Sequence, residues 1–133
     1  MSRLLIIGCG GVAQVAIKKC CQNSEVFTEI CIASRTKEKC DRVKEEVAQW
    51  TKTKVTTAYV DADKKEEVVS LIDSYKPDAV LNVALPYQDL TIMDACVECK
   101  VSYVDTANYE AEDTNDPAWR GIYEERCKRL GFS

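Results

Sequence analysis

Leu4-Leu5-Ile6-Ile7-Gly8-Cys9-Gly10-Gly11-Val12-Ala13 is the stretch that decides the fold. Its four aliphatic residues form a short, unbroken apolar run, the pattern of a strand covered on both faces in a parallel sheet. Glycines close the run at once. Val12, Val15, Ala16 and Cys20 then recur at steps of three and four, which predicts a helix starting directly after the glycines and ending near Asn23-Ser24. The G-x-G-x-x-A order thus falls where its mechanism needs it, after a strand and opening a helix. Gly8 permits the tight turn, Gly10 lets the backbone approach a pyrophosphate, and Ala13 keeps the helix close to the sheet. The unpaired N–H groups of the helix start face the anion. Gly8, Gly10, Gly11 and Val12 are the candidate phosphate-binding residues, the alternative being a glycine turn in an unrelated α/β fold.

Outward from this unit the same alternation repeats. Glu29 to Ala33 reads as a second buried strand, and Cys40, Val43, Val47 and Trp50 trace the next helix face, with Thr36 as its N-cap. Val55 to Val60 is β-branched and aromatic enough for a third strand, followed by a helix on Val68, Leu71, Ile72 and Tyr75 that stops at Lys76-Pro77-Asp78. Ala79 to Val83 makes a fourth strand, Ile92, Ala95, Cys96 and Cys99 a fourth helix face, and Ser102 to Asp105 a fifth strand. Thr106 to Asn115 is polar and acidic and reads as an exposed loop. A last helix is expected from Asp116 as N-cap and Pro117 through Trp119, Ile122 and Leu130 to Gly131. Strands alternating with helices predict an α/β fold of the Rossmann type, a doubly wound parallel sheet in three α/β/α layers.

Ligands of such sheets bind beyond the carboxyl ends of the strands. A site for the unphosphorylated nicotinamide cofactor has Asp or Glu at the end of the second strand for the ribose 2′-OH. This sequence has Ser34-Arg35-Thr36 there, with Lys37 and Lys39 close behind. Two hydroxyls, a guanidinium and a helix start suit a 2′-phosphate and favour NADP(H), the plainer alternative being a capped helix with a solvated basic first turn. Asp61 and Ala62 end the third strand beside the expected adenine, where Asp61 either accepts from the adenine amino group or caps the next helix. Val83 at the end of the fourth strand, with Ala84 and Pro86 after it, is expected near the nicotinamide ribose, where small residues leave room for it. Asp105 and Thr106 end the fifth strand at the same edge, with a site role and a structural role equally open. Cys96-x-x-Cys99 lies within an apolar helix stripe and without a second pair, so it reads as core packing, not a metal or redox site. Cys9, in the phosphate turn at a helix start, is expected to be oxidation-sensitive, not catalytic.

Composition bounds the rest. In 133 residues, 46% hydrophobic and 30% charged, there is enough apolar material for one globular domain. Eighteen basic and 22 acidic residues leave a charge of −4 and a pI near 5.0, so neither nucleic acid nor an anionic membrane is an expected partner. The absence of histidine removes the commonest general base and metal ligand, and no metal site and no complete hydrolase site is expected. Eight cysteines within apolar patterns read as reduced thiols of a cytoplasmic protein. The apolar run at the start is too short for a signal peptide, and no stretch approaches membrane-spanning length.

With these residues in hand, the sequence resembles the N-terminal cofactor domain of the saccharopine dehydrogenase family. The matching pieces are Gly8 to Ala13, Ile30 to Thr36 with Lys39-Cys40, Val60 to Asp63, Pro77 to Asn82, and Ile92 to Cys96 leading to Val101–Thr106. Ala33 to Thr36, the run from Ile92 to Asp105 and Ala107-Asn108-Tyr109-Glu110 are most similar to the carboxynorspermidine (carboxyspermidine) dehydrogenase branch. The resemblance implies an NADP-dependent oxidoreductase acting on CH–NH bonds, condensing aspartate semialdehyde with a diamine in polyamine synthesis. It implies that residues 1–133 are the NADP-binding domain, with the substrate domain and catalytic groups of the parent enzyme absent from this chain. A homodimer is implied for the full-length form, with an amino-acid semialdehyde and an amine as its small-molecule substrates. Saccharopine dehydrogenase of lysine metabolism and a non-catalytic nucleotide-binding module are the alternatives.

Overall fold

A computed structural model describes residues 2–84 and 88–106, together with Lys128. The predicted final helix, with Trp119, Ile122 and Leu130, lies outside the described residues, as do the segment 107–115 and Pro86. Strands and helices alternate: β1 (Ser2–Ile7), α1 (Gly11–Cys21), β2 (Phe27–Ser34), α2 (Lys37–Ala48), β3 (Lys54–Tyr59), α3 (Lys65–Tyr75), β4 (Ala79–Asn82), α4 (Asp89–Cys99) and β5 (Ser102–Asp105). All neighbouring strands pair in parallel, in the order β3-β2-β1-β4-β5. This is the doubly wound α/β sheet that the sequence predicts.

The unbroken apolar strands follow from a sheet covered on both faces. Successive side chains of a strand point to opposite sides. Leu4, Ile6, Ile30 and Ile32 therefore pack with Ala13, Ile17 and Cys21 of α1 and Cys40, Val43 and Val47 of α2. Leu5, Ile7, Cys31 and Ala33 pack on the other face with Val68 and Ile72 of α3 and Ile92, Met93, Ala95 and Cys96 of α4. Cys96 is fully buried in that core and Cys99 packs against it, the packing role read from their apolar stripe. The change of side comes at α3, whose connection carries the chain past β2 and β1 to β4. That reversal opens a crevice between β1 and β4 at the carboxyl edge. Among the described residues no helix is long and apolar enough to cross a membrane.

Two helix faces differ from expectation. On α1 the buried positions are Ala13, Ile17 and Cys21, whereas Val12 and Val15 are 67% and 62% exposed. The helix carries apolar residues around most of its circumference, so its sequence admits more than one phase, and the exit of the chain from Gly10 selects the one that brings Ala13 onto the sheet. Trp50 is not on the buried face of α2, which ends at Ala48. The Trp50 and Thr51 amides both turn back to the Val47 carbonyl, leaving the indole 47% exposed. Thr36 does occupy the N-cap of α2, yet its hydroxyl makes no capping bond.

Candidate functional site

The crevice is a cleft of about 400 Å³ at the carboxyl edge of the sheet. Its floor is the turn from Ile7 to Val12. Gly8 has φ +120°, and a Cβ there would lie 2.8 Å from the Val83 carbonyl carbon and oxygen and 2.9 Å from the Ala84 nitrogen. Its amide donates to the Ala33 carbonyl at 2.9 Å, so the fold itself demands glycine at this point. Gly10 and Gly11 differ, because a Cβ on either meets nothing within 4 Å. Their smallness serves no neighbour among the described residues and leaves the floor open to a ligand. Gly10 is the N-cap of α1 and supplies no side-chain acceptor, and no acidic residue stands in the first turn. The first amides of α1 are thus left for an anion. Cys9 is buried beneath the turn at 5% exposure, and its thiol, after burial itself, helps push the Cys40 thiol up to about 12.

Ser34, Arg35, Thr36 and Lys39 line one end of the cleft. The Ser34 hydroxyl accepts from the Thr36 amide at 3.1 Å, which folds the chain over the end of β2. The Arg35 guanidinium lies 3.9 Å from Asp63 and is half exposed, a loose pair that leaves it available. Lys37 is engaged with Asp41 at 3.3 Å on the next turn of α2. Two cations and two hydroxyls around an open cleft fit a phosphate dianion in their chemistry. Val60 and Ala62, both buried, supply an apolar wall beside them. Asp61 is placed in the turn that leads into α3: its Oδ1 accepts from the Asp63 amide at 3.0 Å, and its own amide donates to Glu67 at 3.4 Å. It is not among the residues lining the cleft.

Val83, Ala84 and Gln88 line the opposite end. Beneath them lies a polar cluster of which the sequence reading named only Asp105 as a candidate, with its role left open. Asn82, 2% exposed, donates from Nδ2 to Asp89 Oδ1 at 2.7 Å and to the Tyr103 hydroxyl at 3.1 Å, and its Oδ1 accepts from the Ala84 amide at 2.9 Å. The Tyr103 hydroxyl donates onward to Asp105 at 2.8 Å. Burial first, then the charge of the nearby Asp105, raise the Asp89 carboxyl and the Asn82 hydrogen bond partly offsets them, so that together they push it up to about 7. Burial likewise drives the Tyr103 hydroxyl upward. The sequence carried no signal for Asp89, because polar residues at a helix start are common as solvent-facing caps. Ile7, Val60 and Lys39 also line the cleft: Ile7 ends β1 and Val60 directly follows β3, both indistinguishable from core in the sequence, and Lys39 is legible as a cation in the first turn of α2.

Ten of the twelve candidate residues are brought together on this cleft, Asp61 is placed beside it, and Pro86 lies outside the described residues. Comparison with known proteins bears on what the cleft holds. The model of the saccharopine dehydrogenase NADP binding domain matches residues 4–126. The carboxyaminopropylagmatine dehydrogenase of Synechocystis sp. is 42% identical over 99% of this chain and 33% of its own length. The carboxynorspermidine synthase of Vibrio alginolyticus is 39% identical over 98% of this chain and 34% of its own length. The chain thus spans about a third of the length of these relatives. Among solved structures, the apo saccharopine dehydrogenase (L-Glu forming) of Saccharomyces cerevisiae shares the fold with a TM-score of 0.70 at 16% identity, over 92% of this chain and 24% of that one.

Proposed function

Since the chain belongs to the saccharopine dehydrogenase NADP-binding domain family, we propose that it is the cofactor domain of a reductase that joins an amino-acid semialdehyde to an amine, with the substrate domain outside residues 1–133. The family's cofactor is NADP(H), and the carrying observation for this chain is the open glycine floor with Ser34, Arg35, Thr36 and Lys39 at its end and no carboxylate among the described residues that line it. Gly10, Gly11 and the α1 amides hold the pyrophosphate, and Arg35, Ser34 and Thr36 hold the 2′-phosphate. Val60 and Ala62 flank the adenine, and Val83 and Ala84 support the nicotinamide ribose. The cofactor supplies hydride chemistry, and this chain's share is to bind and orient it. Seven free cysteines among the described residues support a reducing, cytoplasmic setting.

The substrate reading is a reductive condensation of aspartate semialdehyde with a diamine, supported by similarity to carboxynorspermidine synthase. The 42% identity to a carboxyaminopropylagmatine dehydrogenase favours a second reading, in which the product is that enzyme's carboxyaminopropylagmatine. Assay of the full-length protein with each amine separates them.

Calorimetric titration of the chain with NADPH and NADH tests the cofactor assignment. NADPH is expected to bind the more tightly, and Arg35→Ala to weaken NADPH roughly ten- to a hundredfold while leaving NADH nearly unchanged, as loss of a charge-assisted contact implies. Equal affinity for the two cofactors in the wild type would overturn the assignment of Ser34, Arg35 and Thr36.

A further inference from the structure

We propose that Asp89 is a positioning residue for the nicotinamide half of the cofactor, fixing through Asn82 the backbone at Val83 and Ala84 on which that half rests. This inference depends on the cofactor reading above and names a residue that does not line the cleft.

Three contacts dictate how the Asn82 amide is turned. Its Oδ1 accepts from the Ala84 amide, so its Nδ2 must point the other way, toward Asp89 Oδ1 and the Tyr103 hydroxyl. Tyr103 spends its proton on Asp105 and therefore presents a lone pair to Asn82. Asp89 is the closer of the two acceptors. Turning the amide over would set its NH₂ against the Ala84 N–H and leave both acceptors without a donor. The segment so anchored has little freedom on its other side, since the Val83 amide donates to the Ile7 carbonyl at 2.9 Å and the backbone of both residues presses on Gly8. In a sheet of this order, the half of a dinucleotide beyond the pyrophosphate passes over β4, where these two residues stand.

Packing does not account for the carboxyl group. Asp89 is 2% exposed, and its Oδ2 has no hydrogen-bond partner among the described residues. An unpaired buried oxygen is costly, and an apolar side chain at the start of α4 would avoid that cost. An acceptor at position 89 is explained by what it does to Asn82. Burial beside Asp105 also raises this carboxyl well above the usual carboxylate range.

Two variants of the full chain, Asp89→Ala and Asp89→Asn, test the proposal against two ligands, NADPH and adenosine 2′,5′-bisphosphate, which has the adenine half alone. Asp89→Ala is expected to weaken NADPH at least tenfold and to leave the bisphosphate within about twofold of wild type. Asp89→Asn retains an acceptor and is expected to bind both as wild type does. Amide hydrogen exchange supplies a readout without ligand: in Asp89→Ala, exchange at Ala84 is expected to accelerate at least tenfold while Leu5 and Ile6 in β1 stay protected. Equal weakening of both ligands, unchanged exchange at Ala84, acceleration of all amides together, or failure of Asp89→Asn to restore binding would overturn the proposal. Wild type that binds the bisphosphate and NADPH while Asp89→Ala leaves their ratio unchanged removes the positioning role and keeps the cofactor reading. Wild type that binds neither removes both.

Discussion

Alanine at position 8 would set a methyl group 2.8 Å from the Val83 carbonyl, on a backbone at φ +120° that L side chains rarely adopt. Gly8→Ala is therefore expected to lower the unfolding free energy by at least about 2 kcal/mol, combining backbone strain with a clash against main chain that cannot step aside. Urea unfolding checks it. Gly10→Ala meets no atom within 4 Å and stands at an N-cap, so its stability is expected to stay within about 1 kcal/mol of wild type. Its NADPH affinity is expected to fall at least tenfold, because the methyl occupies the open floor. The two glycines look alike in the motif, and only the neighbour above each one separates a position that the fold requires from one that it leaves open. Arg35 and the hydroxyls beside it were legible because they follow a strand end directly. Asp89 was not, because nothing near it in the chain shows that α4 turns its first residue inward.

At the scale of elements, α3 and α4 end alike. Lys76 and Lys100 both take the left-handed conformation, at φ 55°, and the Lys76 amide bonds back to Ile72 at 2.8 Å. Helices commonly close this way, but on glycine, since a Cβ in this region costs roughly 1–2 kcal/mol. Lys76→Gly and Lys100→Gly are each expected to stabilise the chain by about 0.5–1 kcal/mol after the added freedom of the unfolded glycine is set against the relief. A rise in Tm for each variant checks this, and a fall would show that the lysines hold something at those ends. Helix ends of this kind were legible for α3, where Pro77 forbids continuation, and less so for α4. Helix phase was the harder question. Cys40, Val43 and Val47 leave α2 a single apolar stripe, and its face was read correctly except for Trp50 beyond its end, whereas α1 offers several stripes and the sheet chose among them.

For the whole molecule, a carboxyl buried between the sheet and α4 ties stability to pH. Asp89 titrates near 7 in the folded chain and near 3.8 unfolded, so the native state holds the proton more tightly, and the unfolding free energy from this group falls as pH rises from about 4 to about 7, then levels. Asp89→Asn is expected to match wild type at pH 4 and to exceed it by a few kcal/mol at pH 8, since each pKa unit is worth about 1.4 kcal/mol. Denaturant titrations across that range measure the widening gap. The sequence by itself determined the alternation of strands and helices, the two-sided burial of the sheet, the glycine turn and the basic end of the cleft. These are local patterns: runs, periods and residues set directly after a strand. Only the tertiary structure decided which glycine is crowded, which face α1 buries, that Asp61 is drawn into the turn before α3, and that Asn82, Asp89, Tyr103 and Asp105 meet beneath Val83 and Ala84. Each of these depends on atoms many residues apart that come together only when β4 is laid beside β1 and β5 beside β4, and one-dimensional spacing carries no record of that approach.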